Sequence, residues 1–335
     1  MIITKTPFRM SFFGGGTDMA SFYKEYGGAI LSTTFDKYCY VNVRHLPRFF
    51  DYYNELVYAN IERVDEDLNK IAHPLIREAM KYLDIKEIRL SYEADLPART
   101  GLGTSSSFAV GMLNAFYALK GKRADKRKLA DDAIYVERVL CNEAGGVQDQ
   151  IAAAFGGLNR IEITNAGYSV NPVIISNQRK EELNDNLMLF FTGFSRYSAK
   201  VQENTEKNIN EKIKQLQEMK KLVTAAEDIL TSKTSLNEFG KLLDYTWQLK
   251  RGISNVISND HINEFYKKAI SAGALGGKLL GAGGGGFLLF YVEKDKQVKV
   301  LKALQNLLYV PFKFETGGTR VIYYKAEDYQ LPVNY

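Results

Sequence analysis

The run from residue 97 to 107, PARTGLGTSSS, combines residue types that bind phosphate. Gly101 and Gly103 leave room for backbone N–H groups to approach an anion, and four hydroxyl residues follow where a helix dipole favours negative charge. We therefore predict that this run, the phosphate loop, binds a nucleotide. The contacting residues are expected to be Pro97, Arg99, Gly101, Leu102, Gly103, Thr104, Ser105, Ser106 and Ser107.

The elements around the phosphate loop are a predicted strand and a predicted helix. Apolar residues alternate with polar ones from Ile88 to Tyr92, and recur at helical spacing from Val110 to Tyr117. No lysine follows the last glycine, which excludes a Walker A motif. An ordinary helix start capped by one Ser or Thr is the alternative. A second hydroxyl can instead contact a metal ion held by the phosphates.

Two acidic residues, Glu137 and Asp149, are candidates for a metal ligand and a catalytic base. Glu137 lies in a predicted helix from residue 125 to about 142. On one continuous helix the two residues would be about 18 Å apart. Gly145 and Gly146 break this helix and let the chain fold back, so both carboxylates can approach one site. A pair of unrelated surface carboxylates is the alternative.

The N-terminal segment places Arg9 in an otherwise apolar predicted strand, ahead of a glycine turn and Asp18. A charge in such a strand is costly unless it has a partner. Arg9 could pair with Asp149 or stabilise charge on a transferring phosphoryl group, and Asp18 could accept hydrogen bonds from substrate hydroxyls.

A second glycine loop, residues 281–286, formally matches the dinucleotide-binding fingerprint G-x-G-x-x-G. That fingerprint must open a helix, whereas a continuous apolar strand pattern follows here, which excludes it. The loop is expected to pack against a ligand or against another glycine loop.

The composition indicates a globular enzyme-sized chain of 335 residues, 45% hydrophobic and 25% charged. We expect two domains, residues 1–180 and 181–335. The net charge of +5 is scattered, which suits anionic small molecules at least as well as nucleic acid. The sequence has no basic stripe interleaved with aromatic residues, so no nucleic acid is expected as a partner. No signal peptide or membrane span is predicted, so no membrane is expected as a partner. Cys39 and Cys141 lack metal-ligand or disulfide spacing, which fits a cytoplasmic protein.

Three segments, residues 7–18, 97–105 and 278–286, resemble in this order the motifs of the small-molecule kinase superfamily of galactokinase, homoserine kinase, mevalonate kinase and phosphomevalonate kinase. The resemblance spans nearly the whole chain, with Thr104 replacing the first serine of the second motif. It implies an α+β fold with an N-terminal ribosomal-protein-S5-like domain, a C-terminal ferredoxin-like domain, and ATP between them.

The resemblance also implies roles for individual residues. Ser105 and Glu137 would bind Mg²⁺, the phosphate loop would bind ATP, and Asp149 would be the catalytic base. Some members lack the base, so Asp149 could instead position the acceptor hydroxyl and Arg9.

The first motif departs from that of galactokinase-like members, which have Gly-Glu-His where this chain has Gly14-Gly15-Gly16. The glycines remove two side chains that could hydrogen-bond to sugar hydroxyls, and they leave room for a longer sugar. The glycine-rich motifs are most similar to those of heptose 7-phosphate kinases, which phosphorylate the anomeric hydroxyl to give a 1,7-bisphosphate. The expected sugar-binding residues are Gly15, Gly16, Thr17, Asp18, Arg196, Lys250, Gly283 and Gly284.

A phosphorylated sugar needs a second anion site away from ATP. Arg196 is the first candidate, because it follows a predicted strand and a glycine and suits bidentate phosphate contacts. Lys250 and Arg251, beside Trp247, are the others. A kinase of another sugar such as fucose and a non-catalytic sensor of ATP and sugar are the competing functions. The expected partners are a sugar phosphate and ATP, for a monomer or homodimer.

Overall fold

The protein folds around two β-sheets flanked by helices, which confirms the predicted α+β class. A computed structural model describes residues 1–47, 49–98, 100–193, 212–253 and 257–326. Within these ranges the first sheet has nine strands and the second has four. No helix in the same ranges combines the length and apolarity needed to cross a membrane.

The first sheet holds most of the N-terminal half. Its strands are β1 (Ile2–Phe13), β2 (Gly28–His45), β3 (Asn54–Val57), β4 (Ile61–Val64), β5 (Ile88–Ala94), β6 (Asn159–Thr164), β7 (Gly167–Pro172), β12 (Phe314–Glu315) and β13 (Arg320–Tyr324). The strand order is β13–β1–β2–β5–β3–β4, with β6 and β12 also pairing with β2, and β7 with β6. The long strand β2 therefore connects every part of the sheet.

The helices of this half cover the sheet and carry parts of the candidate site. They are α1 (Ala20–Tyr26), α2 (Pro74–Leu83), α3 (Thr104–Leu119), α4 (Lys126–Ile134), α5 (Gln148–Phe155) and α6 (Asn177–Asp185), with a 3₁₀ turn at Leu68–Lys70. Helix α2 has its proline in the first turn and its apolar residues on the buried face. Helix α3 is buried on nearly all sides and packs on β1 and β2, so it fixes the phosphate loop before it.

The second half is built on a smaller antiparallel sheet. Its elements are β8 (Leu187–Phe191), α7 (Ile213–Thr231), α8 (Asn237–Arg251), α9 (Asp260–Ser271), β9 (Gly276–Leu279), β10 (Phe287–Tyr291), a 3₁₀ turn (Lys294–Lys296), α10 (Gln297–Ala303) and β11 (Leu308–Tyr309). The strand order is β11–β8–β10–β9. Strand β10 is buried along its whole length, which accounts for its unbroken apolar sequence.

The two halves share an apolar core, and the segment that follows the second sheet returns to the first sheet. Phe8 and Phe12 of β1 lie in one apolar cluster with Leu189, Phe239 and Tyr291 of the second half. Strands β12 and β13 return to the first sheet, where they pair with β2 and β1. The predicted division at residue 180 falls just before the second sheet, but residues 314–324 complete the first one.

Candidate active site

The two glycine loops touch each other through their backbones. Gly101 and Gly281 both have positive φ, +83° and +75°. A Cβ on Gly281 would lie 2.2 Å from the Cα of Gly101, and a Cβ on Gly101 would lie 2.4 Å from the carbonyl oxygen of Leu280. Only glycine fits such an approach. Of the two alternatives left open for the second glycine loop, packing against another glycine loop is therefore confirmed.

Ser105 and Glu137 are brought together beside the phosphate loop. The exposed hydroxyl of Ser105 donates to Oε1 of Glu137 at 3.0 Å, and Nε2 of Gln150 donates to Oε2 at 2.5 Å. Glu137 is only 1% exposed. Because Gln150 follows Asp149 directly, the predicted fold-back at the Gly145-Gly146 break is confirmed.

The predicted helix is confirmed from Lys126 to Leu140, but Glu137 lies in a part of it that is not a regular α-helix. The chain widens there into a π-helical segment, Tyr135–Leu140. An extra residue per turn changes the direction of the side chains that follow, and such segments occur often at functional sites. The apolar pattern hardly differs between the two kinds of turn, so the sequence did not reveal it.

The Ser105–Glu137 pair fits a divalent cation. A hydroxyl and a carboxylate supply the oxygen ligands that Mg²⁺ prefers, and Mg²⁺ takes its remaining ligands from phosphates and water. The described ranges contain no group of three or more His, Cys, Asp and Glu residues that could hold a metal ion.

The other members of the phosphate loop serve mainly to shape it. The buried hydroxyl of Ser107 donates to the carbonyl oxygen of Pro7 at 3.0 Å, and the carbonyl oxygen of Leu102 accepts from the backbone N–H of Arg9 at 3.2 Å. Thr104 and Ser106 are buried, whereas Pro97 is exposed. Arg99 lies outside the described residues. Nucleotide contacts of this loop remain predictions.

Arg9 and Asp149 form the predicted ion pair. Nε and Nη2 of Arg9 donate to the two carboxylate oxygens of Asp149, each at 2.7 Å. Nη1 of Arg9 donates to the carbonyl oxygen of Gly101 at 2.8 Å, which joins the pair to the phosphate loop. Arg9 is 4% exposed and Asp149 21% exposed. The carboxylate is held in one orientation yet remains open to the neighbouring cavity.

Asp18 follows the first glycine turn and points to the same region. Its carboxylate accepts the backbone N–H groups of Gly16 and Gln148, at 3.0 and 3.2 Å. Burial, and then the charge of Asp149, raise the pKa of Asp18. Thr17 has a structural role, because its hydroxyl donates to the carbonyl oxygens of Gly14 and Ala29, and it does not line the cavity.

A cavity open to solvent lies between the ion pair and the second glycine loop. Predicted site residues that line it are Arg9, Gly15, Gly16, Asp18, Asp149 and Lys250. The sequence interpretation missed Ser11, Arg138, Gln148 and Lys278, which also line it.

Two side chains that line this cavity carry a buried polar atom without a hydrogen-bond partner in the described part of the chain. The hydroxyl of Ser11, a residue 5% exposed, and Oε1 of Gln148 have no hydrogen-bond partner among the described residues. Both side chains flank Gly15, whose Cβ would lie 3.6 and 3.8 Å from them. Buried polar atoms without partners are rare, and in a cavity they indicate groups that a polar ligand would satisfy.

The remaining predicted sugar contacts differ in position. Gly283 and Gly284 lie against the backbone of Ile257, outside the cavity lining. Lys250 is buried, lines the cavity, and donates to the carbonyl oxygen of Gly281. Arg196 lies outside the described residues.

Lys278 is the missed residue with the clearest signal. Lys278 lies in the short strand β9, between glycines and apolar residues. A charge in such a strand is costly without a partner, which is the same signal that identified Arg9. Ser11 and Gln148 carried no comparable signal, because single polar residues are common in strands and at helix starts.

Comparison with known proteins gives consistent matches over both halves. The family profile described as GHMP kinases N terminal domain matches residues 67–157, and GHMP kinases C terminal matches 207–310. The chain is 32% identical over 320 residues to D-glycero-alpha-D-manno-heptose 7-phosphate kinase of Campylobacter jejuni, covering 91% of this chain and 93% of the relative.

Two further matches come from Bacteroides. L-fucokinase/L-fucose-1-P guanylyltransferase of Bacteroides fragilis is 30% identical over 221 residues, which span 64% of this chain and 23% of that protein. The crystal structure of a D-glycero-D-manno-heptose 1-phosphate kinase from Bacteroides thetaiotaomicron superposes with a TM-score of 0.79 at 26% identity, covering 97% of this chain and all of that one.

Proposed function

The chain belongs to the GHMP kinase family, and on this premise we propose that it transfers phosphate from ATP to the anomeric hydroxyl of D-glycero-D-manno-heptose 7-phosphate. The products are the 1,7-bisphosphate and ADP, and the reaction would supply nucleotide-activated heptose for surface polysaccharide. The observation that carries the proposal is the orientation of Asp149 by Arg9, between the phosphate loop and a cavity lined by polar side chains.

The phosphates of ATP are assigned to the phosphate loop at the N-terminus of α3. Backbone N–H groups and the helix dipole at such a place favour phosphate. Ser105 and Glu137 would hold Mg²⁺, which when bound neutralises charge on the phosphates. Glu137 keeps its orientation through the amide of Gln150.

Asp149 is assigned as the general base. Its carboxylate accepts the proton of the anomeric hydroxyl while that oxygen attacks the terminal phosphorus of ATP. Arg9 donates to both carboxylate oxygens of Asp149. It also donates to the carbonyl oxygen of Gly101, so it fixes the position of the base relative to the phosphate loop. A positioning role without proton transfer remains the alternative, and positioning alone contributes strongly in phosphoryl transfer.

The sugar is assigned to the cavity, with its hydroxyls bonded to Asp18, Ser11 and Gln148. These side chains offer a carboxylate and polar atoms without protein partners. Gly15 and Gly16 leave space beside them that larger residues would fill. The heptose assignment rests on this space and on the Campylobacter jejuni relative.

Initial rates over a panel of acceptors test the proposal. The panel contains heptose 7-phosphate, heptose 1-phosphate, the free heptose, L-fucose and galactose, because the relatives' names include fucose and two positions of the heptose phosphate. We expect the highest kcat/KM with heptose 7-phosphate. Turnover of L-fucose without turnover of any sugar phosphate would contradict the proposal. Binding of ATP and sugar without turnover would indicate a sensor instead.

A further inference from the structure

Two buried lysines line the cavity without an acidic partner. Lys250 of α8 is 9% exposed and Lys278 of β9 is 2% exposed. Lys250 donates to the carbonyl oxygen of Gly281, and Lys278 to that of Phe12 at 2.6 Å. Among the described residues, no carboxylate oxygen lies within 4.0 Å of either Nζ atom. A buried ammonium with only a carbonyl contact is costly, and an anion would offset that cost.

The other cations of the cavity already have partners. The guanidinium of Arg9 donates hydrogen bonds to both carboxylate oxygens of Asp149 and to a backbone carbonyl oxygen. Arg138 donates to three backbone carbonyls of the turn at 143–146. The two lysines are therefore the cavity cations that a ligand anion can engage with the least competition from the protein.

We propose that Lys250 and Lys278 together form the subsite for the phosphate that the sugar already carries. This assignment rests on the proposed function and goes beyond it by locating the group that selects a phosphorylated acceptor. Both side chains line the same cavity, and the charge of Lys250 acts on Lys278, so the two amines lie near each other. A phosphate dianion matches two ammonium groups in charge and accepts hydrogen bonds from both.

The protonation of the two amines supports this assignment. Burial, and then the charge of Arg9, lower the pKa of Lys250 to about 8. Burial, and then the charges of Lys250 and Arg9, lower the pKa of Lys278 well below its usual value. The carboxylates of Asp18 and Asp149 act in the opposite direction on Lys250. A bound dianion favours the charged amines, so binding near pH 8 is expected to take up protons.

Kinetics with paired acceptors test the subsite. Lys250→Met and Lys278→Met remove the charge at similar volume, and Lys120→Met is the control, because Lys120 also donates to a backbone carbonyl but is exposed. We expect each cavity variant to raise KM for heptose 7-phosphate by about 10- to 100-fold. The loss in kcat/KM should be at least about tenfold larger for heptose 7-phosphate than for the free heptose, and KM for ATP should stay within about twofold of the control. An unchanged KM for heptose 7-phosphate, or equal losses on both sugars with a raised KM for ATP, would overturn the proposal.

A binding measurement separates this proposal from the proposed function. Inorganic phosphate is titrated calorimetrically at pH 8 in two buffers of different ionisation enthalpy, with a non-hydrolysable ATP analogue and Mg²⁺ filling the nucleotide site. We expect proton uptake with the wild type and loss of binding in the double variant. If this holds while neither heptose is phosphorylated, only the proposed substrate is wrong. Equal phosphate binding by wild type and double variant would overturn the subsite.

Discussion

Gly281→Ala is expected to lower the activity of the folded enzyme as well as its stability. The new Cβ would lie 2.2 Å from the Cα of Gly101 and 2.6 Å from its carbonyl oxygen. The two loops must separate by about 1.2 Å to restore an ordinary contact of 3.4 Å. Because that carbonyl also accepts from Arg9, the displacement reaches the ion pair with Asp149.

The size of the effect follows from this displacement. A misplacement of about 1 Å in a catalytic arrangement can lower the rate about 100-fold, so we expect kcat/KM to fall by about that factor. An alanine in left-handed backbone costs about 1–2 kcal/mol. The strain of separating the loops adds about 1–3 kcal/mol.

Gly121→Ala is the matched control. Gly121 has a φ of +66°, and its Cβ would meet no atom within 4 Å. Gly121→Ala therefore has the same free-energy cost of left-handed backbone as Gly281→Ala, but it creates no close contact with another loop. Rates come from a coupled assay of ADP release and free energies of unfolding from urea titration. If Gly281→Ala kept kcat/KM within about threefold of Gly121→Ala, the proposed coupling between the loops would be refuted.

Three further changes test separate parts of the site. Asp149→Asn should lower kcat by about 10²- to 10⁴-fold with nucleotide affinity unchanged, and should cost about 2 kcal/mol of stability by leaving Arg9 unpaired; an unchanged rate would remove the base. Glu137→Gln should raise the Mg²⁺ concentration for half-maximal activity at least about tenfold, while metal-free ADP binding is the unaffected control. Lys250 has a folded-state pKa of about 8 against an ordinary 10.5, so the unfolded chain binds more protons between these values. Wild type should therefore gain about 3 kcal/mol relative to Lys250→Met as pH rises from 7.5 to 10.5, and a constant difference in urea unfolding would contradict the depressed pKa.

The features that could be predicted from the sequence are the local ones. Glycines and hydroxyls before a helix indicated the phosphate loop, because backbone access and hydroxyl chemistry depend on residues adjacent in the chain. Arg9 was found because a charge in an apolar strand needs a partner. The break at 145–146 was sufficient to predict that Asp149 could fold back toward the site that Glu137 faces.

The cavity side chains could not be identified in this way. Ser11 is distinguished only by the absence of a partner in the folded protein. Lys278 lines the cavity in a fold where its amine donates to the carbonyl oxygen of Phe12, 266 residues earlier in the chain. The return of β13 to the first sheet likewise depends on pairing with β1, more than 300 residues earlier.

Phosphorus NMR of the reaction products tests the central claim most directly. The protein is incubated with ATP, Mg²⁺ and heptose 7-phosphate, and the products are compared with those of Asp149→Asn under the same conditions. We predict one new phosphate resonance coupled to the anomeric proton, in amounts equal to the ADP formed and greatly reduced in the variant. Release of inorganic phosphate without a sugar product, or phosphate on any other carbon, would contradict the account.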